Sequence, residues 1–211
     1  MIISIIDLGI NNLASIFRFF NTELKNGESV QVFNPKDKEL LPSLVVIPGM
    51  GNFRYGMQSL HDQNLIEKLT EWKVSGVKIL GVCLGMQLLG STSEEAPECT
   101  GLGFIRGKSL KLPEIPSEKI PNVGWSNNKL RDSTKNFSSL GSQGDYYFVH
   151  SYHFVPDNPA DTLATSDFGS KDFVSAIKSD NVLGFQFHPE KSGKKGKILR
   201  REIFDWVQNE S

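Results

Sequence analysis

The 211 residues are 38% hydrophobic and 22% charged, a balance that suits one folded domain over residues 1–211 and excludes both a disordered and a membrane-embedded chain. Lys and Arg total 23 against 24 Asp and Glu, and the resulting net charge of −1 argues against a dedicated nucleic-acid binder. Two cysteines, Cys83 and Cys99, are too few for a disulfide framework or a zinc site built on cysteine pairs, so no metal is expected.

The opening run, MIISIID, has no basic flank and ends at Asp7, which predicts a strand rather than a signal peptide or membrane span and points to a cytoplasmic protein. Residues 2–6, 30–33, 44–47 and 77–82 are short runs rich in Val and Ile and read as strands. Between the first two, Leu13, Ile16, Phe17, Phe20 and Leu24 recur at helical spacing over residues 12–25, with Asn11 or Asn12 as N-cap and Asn26-Gly27 as stop. Met57, Leu60, Leu65, Ile66, Leu69 and Trp72 predict a single helix over residues 55–73. Strands alternating with helices imply a parallel sheet covered on both faces. After Thr100 the pattern changes: residues 101–112, 119–130, 146–155, 162–166, 173–178 and 182–187 read as strands joined by turns, antiparallel hairpins that extend the sheet. A helix over residues 197–207 closes the chain, burying Leu199, Ile203, Trp206 and Val207.

The sharpest chemical signal is Gly81-Val82-Cys83-Leu84-Gly85, where a β run meets a helix-compatible segment. Small residues two before and two after a nucleophile permit the tight strand-to-helix turn that lifts its side chain clear of the backbone. A helix N-terminus also favours a thiolate. The plain alternative is a buried structural cysteine at a glycine-rich turn. A thiolate nucleophile needs a base and the base an orienter. Of four histidines, His61 lies on a polar helix face, and His150 and His153 fall on opposite faces of one strand. His188 ends an apolar strand and is followed by Pro189-Glu190, so the carboxylate can fold back to the imidazole; the plain alternative is an ordinary turn. The Leu84 N–H is the natural first oxyanion donor, and Pro48-Gly49-Met50-Gly51, after a buried strand, offers a second from a peptide freed by two glycines, unless it is a simple Pro-Gly turn.

Seven blocks occur in order: Asp7-Leu-Gly-Ile-Asn-Asn12-Leu-Ala-Ser15, Pro48-Gly-Met-Gly-Asn-Phe53, Gly81-Val-Cys-Leu-Gly-Met-Gln87, Gly101-Leu-Gly103, Pro121-Asn-Val-Gly-Trp125, Tyr147-Phe-Val-His-Ser-Tyr152 and Gly184-Phe-Gln-Phe-His-Pro-Glu-Lys-Ser192. Together they resemble class I, triad-type glutamine amidotransferases. The last three blocks resemble the subfamily of glutaminase subunits of imidazole glycerol phosphate synthase.

The resemblance implies an α/β, flavodoxin-like fold with a mostly parallel central sheet flanked by helices and antiparallel strands in the C-terminal half. It implies hydrolysis of L-glutamine to glutamate and ammonia, without a cofactor, by Cys83, His188 and Glu190 through a γ-glutamyl thioester. Gly49, Met50, Gly51 and Leu84 would form the oxyanion site, and Gln87, Ser151 and Tyr152 would hold the amino-acid end of the substrate. Asn12, Trp125, Tyr147 and Lys191 would face a (β/α)8-barrel synthase subunit that receives the ammonia and makes imidazole glycerol phosphate and an aminoimidazole carboxamide ribotide.

The basic run of Lys191, Lys194, Lys195, Lys197, Arg200 and Arg201 reads as a solvated helix face that could also meet an acidic partner. The chain departs from the family pattern at Leu8, Ile10-Asn11, Met50 and Asn122-Val123, all expected at the partner face. Three alternatives stay open: an ammonia-supplying subunit for sugar amidation in surface polysaccharide synthesis, a non-catalytic binding subunit that kept the fold, and a stand-alone cysteine hydrolase.

Overall fold

The computed structural model describes residues 1–9, 13–34, 41–131, 137–142 and 144–209. In chain order the elements are β1 (Ile2–Ile5), α1 (Leu13–Phe20), β2 (Ser29–Val32), β3 (Leu44–Gly49), α2 (Phe53–Asp62), α3 (Leu65–Val74), β4 (Lys78–Cys83), α4 (Leu84–Leu88), β5 (Thr92–Ser93) and β6 (Gly107–Lys111). They continue with β7 (Asn122–Ser126), β8 (Asn128–Leu130), β9 (Tyr146–His150), β10 (Tyr152–Pro156), β11 (Thr162–Phe168), β12 (Lys171–Ser179), β13 (Val182–Phe185) and α5 (Gly193–Gln208).

Eight strands form the central sheet in the order β2-β1-β3-β4-β13-β12-β11-β8. The first five are mutually parallel, and β12, β11 and β8 continue the sheet antiparallel. Alternation along the strands feeds two cores. Ile3, Ile5, Val46, Leu80, Val82 and Phe185 pack beneath α1 and α5, whereas Ile6, Val45, Ile47, Ile79 and Val182 pack beneath α2, α3 and α4. Strands buried on both faces explain the near-continuous Val and Ile runs of the first half. The strands after Thr100 do not all act as hairpin extensions: β13 runs parallel to β4, while β6 and β10 join β5 in one small separate sheet and β7 and β9 form another.

Several expected boundaries move for physical reasons. The expected helix over 55–73 is two helices, because Asn64 between them takes a left-handed φ of 56°, a conformation asparagine tolerates better than most residues. The first helix stops at Phe20, short of Leu24. The Thr22 hydroxyl donates to the Arg18 carbonyl, and Glu23, at φ 67°, turns its carboxylate to Arg200 and Arg201 of α5. The expected caps Asn11 and Asn12 lie outside the described residues. Of residues 101–112 only the end is strand, since the backbone of 102–104 donates to the carbonyls of Leu88, Gly90 and Leu89 behind α4. The run 146–155 breaks at Ser151, with β9 pairing β7 and β10 pairing β6. Helix α5 begins at Gly193 rather than at Lys197.

The basic run is not simply a solvated face. Lys195 and Arg200 are buried, the ammonium donating to the Ser139 and Ser142 carbonyls and the Ser142 hydroxyl, the guanidinium to the Phe19 carbonyl. Among the described residues no helix is long and apolar enough to cross a membrane.

Candidate active site

β3 and β4 end side by side, Gly49 opposite Cys83, so the loop of Met50 and Gly51 starts beside the cysteine. Cys83 caps α4 with φ 54° and ψ −109°, a backbone conformation few non-glycine residues adopt. The surrounding glycines make this turn possible by close approach. A Cβ at Gly85 would lie 1.7 Å from the Ile47 carbonyl oxygen, and one at Gly81 2.6 Å from the Gly85 backbone. The elbow expected from Gly81-Val82-Cys83-Leu84-Gly85 is therefore the local structure. Leu84 N–H opens α4, where no preceding helical carbonyl can accept it. Of the two glycines around Met50, Gly51 holds the glycine-favouring φ of 132°, and a Cβ at Gly49 would crowd the Leu84 side chain at 3.1 Å.

His188 follows β13 and is tied to β9 by its N–H, which donates to the Tyr147 carbonyl at 2.8 Å. The turn Pro189–Lys191 folds Glu190 back, so that Glu190 Oε1 lies 2.8 Å from His188 Nδ1, the two side chains being 0% and 2% exposed. Nε2 has no oxygen or nitrogen partner, and the acceptor beside it is the Cys83 sulfur. Burial opposes a charge on this ring, yet the charge and hydrogen bond of the Cys83 sulfur, with those of Glu190, outweigh it and push His188 up to about 10. The site can thus hold an imidazolium between a sulfur and a carboxylate.

Above the sulfur is a cavity of about 230 Å³ lined by Met50, Gly51, Cys83, Leu84, Gln87, Glu95, Pro121, Val149, His150, Ser151 and Tyr152. It is smaller than a drug-sized pocket and suits a molecule of amino-acid size. His188 and Glu190 sit behind the cysteine and do not line it. The Tyr152 carbonyl, which can only accept, receives Gln87 Nε2 at 3.0 Å and His150 Nδ1 at 2.9 Å. His150 is therefore neutral and protonated on Nδ1, its Nε2 accepting from Asn122 Nδ2 at 3.1 Å; burial lowers it to about 3.

Sequence reasoning missed Glu95 and His150, which line the cavity, and Gln186 behind the sulfur. Glu95, which accepts from the Phe53 N–H at 2.7 Å, lay hidden in an acidic turn. His150 was set aside with His153 on the assumption of one straight strand. The break at Ser151 instead brings both rings to Phe173, at 4.9 and 6.3 Å. Gln186, fully buried beside the sulfur, had one available signal, a lone amide in the apolar run Phe185-Gln186-Phe187.

Trp125 is 55% exposed rather than in the core, and its ring stands 5.4 Å from that of Tyr147. Lys191 Nζ lies 5.5 Å from the Tyr147 ring centroid and 3.8 Å from Met50 Sδ. These three expected partner-facing residues are thus contiguous with the loop beside Cys83. Asn12 lies outside the described residues. The departures do not all fall on this face: Leu8 is buried in the core under α2, and Asn122 supports His150, while Val123 is 57% exposed. Ile10 and Asn11 lie outside the described residues.

The family model "Glutamine amidotransferase class-I" matches residues 4–206. Among curated relatives, the imidazole glycerol phosphate synthase subunit HisH 2 of Pseudomonas aeruginosa is 36% identical over 97% of this chain and 100% of its own length. The HisH subunit of Pyrococcus furiosus is 38% identical over 95% and 97%, and that of Thermotoga maritima 36% over 97% and 97%. In fold the chain is similar to PurLQS from Thermotoga maritima, with a TM-score of 0.72 at 17% identity, covering 98% of this chain and 99% of that one. The cysteine elbow, the buried histidine–carboxylate pair and these full-length similarities lead to one assignment: the chain belongs to the class-I glutamine amidotransferase family.

Proposed function

We propose that residues 1–211 act as one cytoplasmic domain, the glutaminase subunit of an imidazole glycerol phosphate synthase, hydrolysing L-glutamine and passing ammonia to a (β/α)8-barrel synthase subunit. The observation that carries the reading is the line from Glu190 through His188 to Cys83 at the floor of an amino-acid-sized cavity.

In this reading the Cys83 sulfur attacks the carboxamide carbon, and its lone pair becomes the C–S bond. The Leu84 N–H and a peptide N–H of Gly49, Met50 or Gly51 hold the developing oxyanion. His188 gives its Nε2 proton to the departing nitrogen, so ammonia leaves and a γ-glutamyl thioester remains. The neutral imidazole then takes a proton from water. The resulting hydroxide adds to the thioester carbonyl, and the C–S electron pair returns to sulfur as glutamate leaves. Glu190 keeps the proton on Nδ1 throughout and stabilises each imidazolium.

The pocket's polar groups suit the other end of the substrate. Both Nε2 protons of Gln87 are engaged by Tyr152 and Gln186, which leaves its Oε1, with the Glu95 carboxylate, to accept from an α-ammonium. The backbone of Ser151 and Tyr152 meets the α-carboxylate. In this reading the Trp125, Tyr147 and Lys191 cluster is the partner contact, and its link to Met50 supports docking next to the oxyanion loop.

The test is reconstitution with barrel synthases. Glutamate release that rises on adding the barrel, with imidazole glycerol phosphate formed from glutamine, is the expected result. Full glutamate release by the isolated chain would indicate a stand-alone hydrolase. Ammonia passed only to a sugar acceptor would assign the chain to surface-polysaccharide amidation.

A further inference from the structure

We infer that Gln186 is a fixed hydrogen-bond donor to the attacking sulfur, a role that rests on the proposed chemistry of Cys83. The orientation of this amide follows from a chain of contacts that begins at a backbone carbonyl. The Tyr152 oxygen can only accept, so the Gln87 atom facing it, 3.0 Å away, is the nitrogen. That same nitrogen lies 3.1 Å from the Gln186 side chain, so the Gln186 atom meeting it is the oxygen. The remaining Gln186 group, its Nε2, therefore faces Cys83 Sγ, at 3.7 Å.

The backbone holds this side chain in place. Gln186 is 0% exposed, and its N–H donates to the Ser175 carbonyl of β12 at 2.9 Å. Neither end of the amide can rotate without leaving a buried polar atom unpaired. The sulfur itself is nearly enclosed, Cys83 being 5% exposed, so water supplies little of what an anion there requires. The Gln186 N–H therefore offers the sulfur a donor in a fixed direction, whereas the Val149 carbonyl, 3.8 Å from the sulfur, can only accept. A buried amide costs stability unless it is paired, and its apolar neighbours Phe185 and Phe187 give no packing reason for a glutamine at this position.

The test uses the full chain and two readouts. In Gln186→Met, which keeps the length and removes the donor, the thiolate absorbance near 240 nm attributable to Cys83 (wild type minus Cys83→Ala) should fall to half or less. In the presence of the barrel subunit, kcat for glutamine should drop about tenfold with KM within about twofold, because Gln87 keeps its bond to Tyr152. An unchanged absorbance and kcat in a folded Gln186→Met variant would overturn the inference.

Should that variant not fold, the wild type serves. The Gln186 side-chain amide proton, followed in a 15N-edited spectrum, should move when Cys83→Ala removes its acceptor, and no movement would equally overturn the inference. If the wild type with its barrel releases no glutamate, the amidotransferase reading fails, while the amide-proton measurement still decides whether Gln186 donates to the sulfur.

Discussion

Replacing Glu190 by glutamine isolates the electrostatic part of the proposed triad. The change keeps an oxygen able to accept from His188 Nδ1 and removes only the charge. Both side chains are almost fully enclosed and their atoms are 2.8 Å apart, so solvent screens the pair poorly. For charge centres about 4 Å apart at an effective dielectric constant of about 20, the lost attraction is about 4 kcal/mol. That energy bears on the imidazolium, which is the species that protonates the leaving nitrogen. At about 1.4 kcal/mol per decade, kcat should fall by about 10³. Glu190 does not line the cavity, so KM should stay within about threefold of the wild-type value. Steady-state glutamate release with the barrel subunit at saturating concentration measures both constants. A kcat within about tenfold of wild type would refute the claim that this carboxylate stabilises the charged ring.

Three further outcomes follow from the same geometry. His188 is held up to about 10 against an ordinary 6.5 by Cys83 first and Glu190 after it, so these contacts stabilise the fold fully below about pH 6.5 and the gain is lost as pH rises through about 10; the melting-temperature gap between wild type and a Cys83→Ala, Glu190→Gln double variant should be widest near pH 6 and close above pH 10, and a gap constant over that range would contradict the linkage. Gly85→Ala places a Cβ 1.7 Å from the Ile47 oxygen and should cost about 3 kcal/mol or more in urea unfolding; a near-neutral effect would show that the elbow does not need this contact. Trp125→Ala, at a side chain 55% exposed, should change folding stability by about 0.5 kcal/mol or less yet weaken barrel binding about 30-fold by calorimetry, and unchanged binding would remove Trp125 from the interface.

What the sequence revealed and what it hid divide along physical lines. Strands β1, β3 and β4 were legible because burial on both faces demands unbroken Val and Ile runs. The elbow was legible because glycine at 81 and 85 is imposed by backbone contacts at 2.6 and 1.7 Å, which leave no other residue. The turn from His188 to Glu190 was local enough to read from three residues. Features set by distant chain segments were not. The early end of α1 depends on arginines of α5 reaching Glu23, and the burial of Lys195 depends on carbonyls at Ser139 and Ser142. The two sides of Ser151 belong to different sheets, so strand periodicity misplaced His153 relative to His150. Glu95 carries no motif of its own, and although Gln186 sits in the Gly184–Ser192 block, only the tertiary fold shows that its amide faces the sulfur and that Glu95 lines the cavity.

The central claim is that the sulfur of residue 83, and no other nucleophile, takes the acyl group of glutamine. Incubating the chain and its barrel subunit with a diazo-ketone analogue of glutamine, followed by intact-mass and peptide mass spectrometry, addresses it directly. The account predicts one adduct per chain, located on Cys83 and lost in Cys83→Ala. An adduct on Cys99, or none while glutamate is still released, would contradict it.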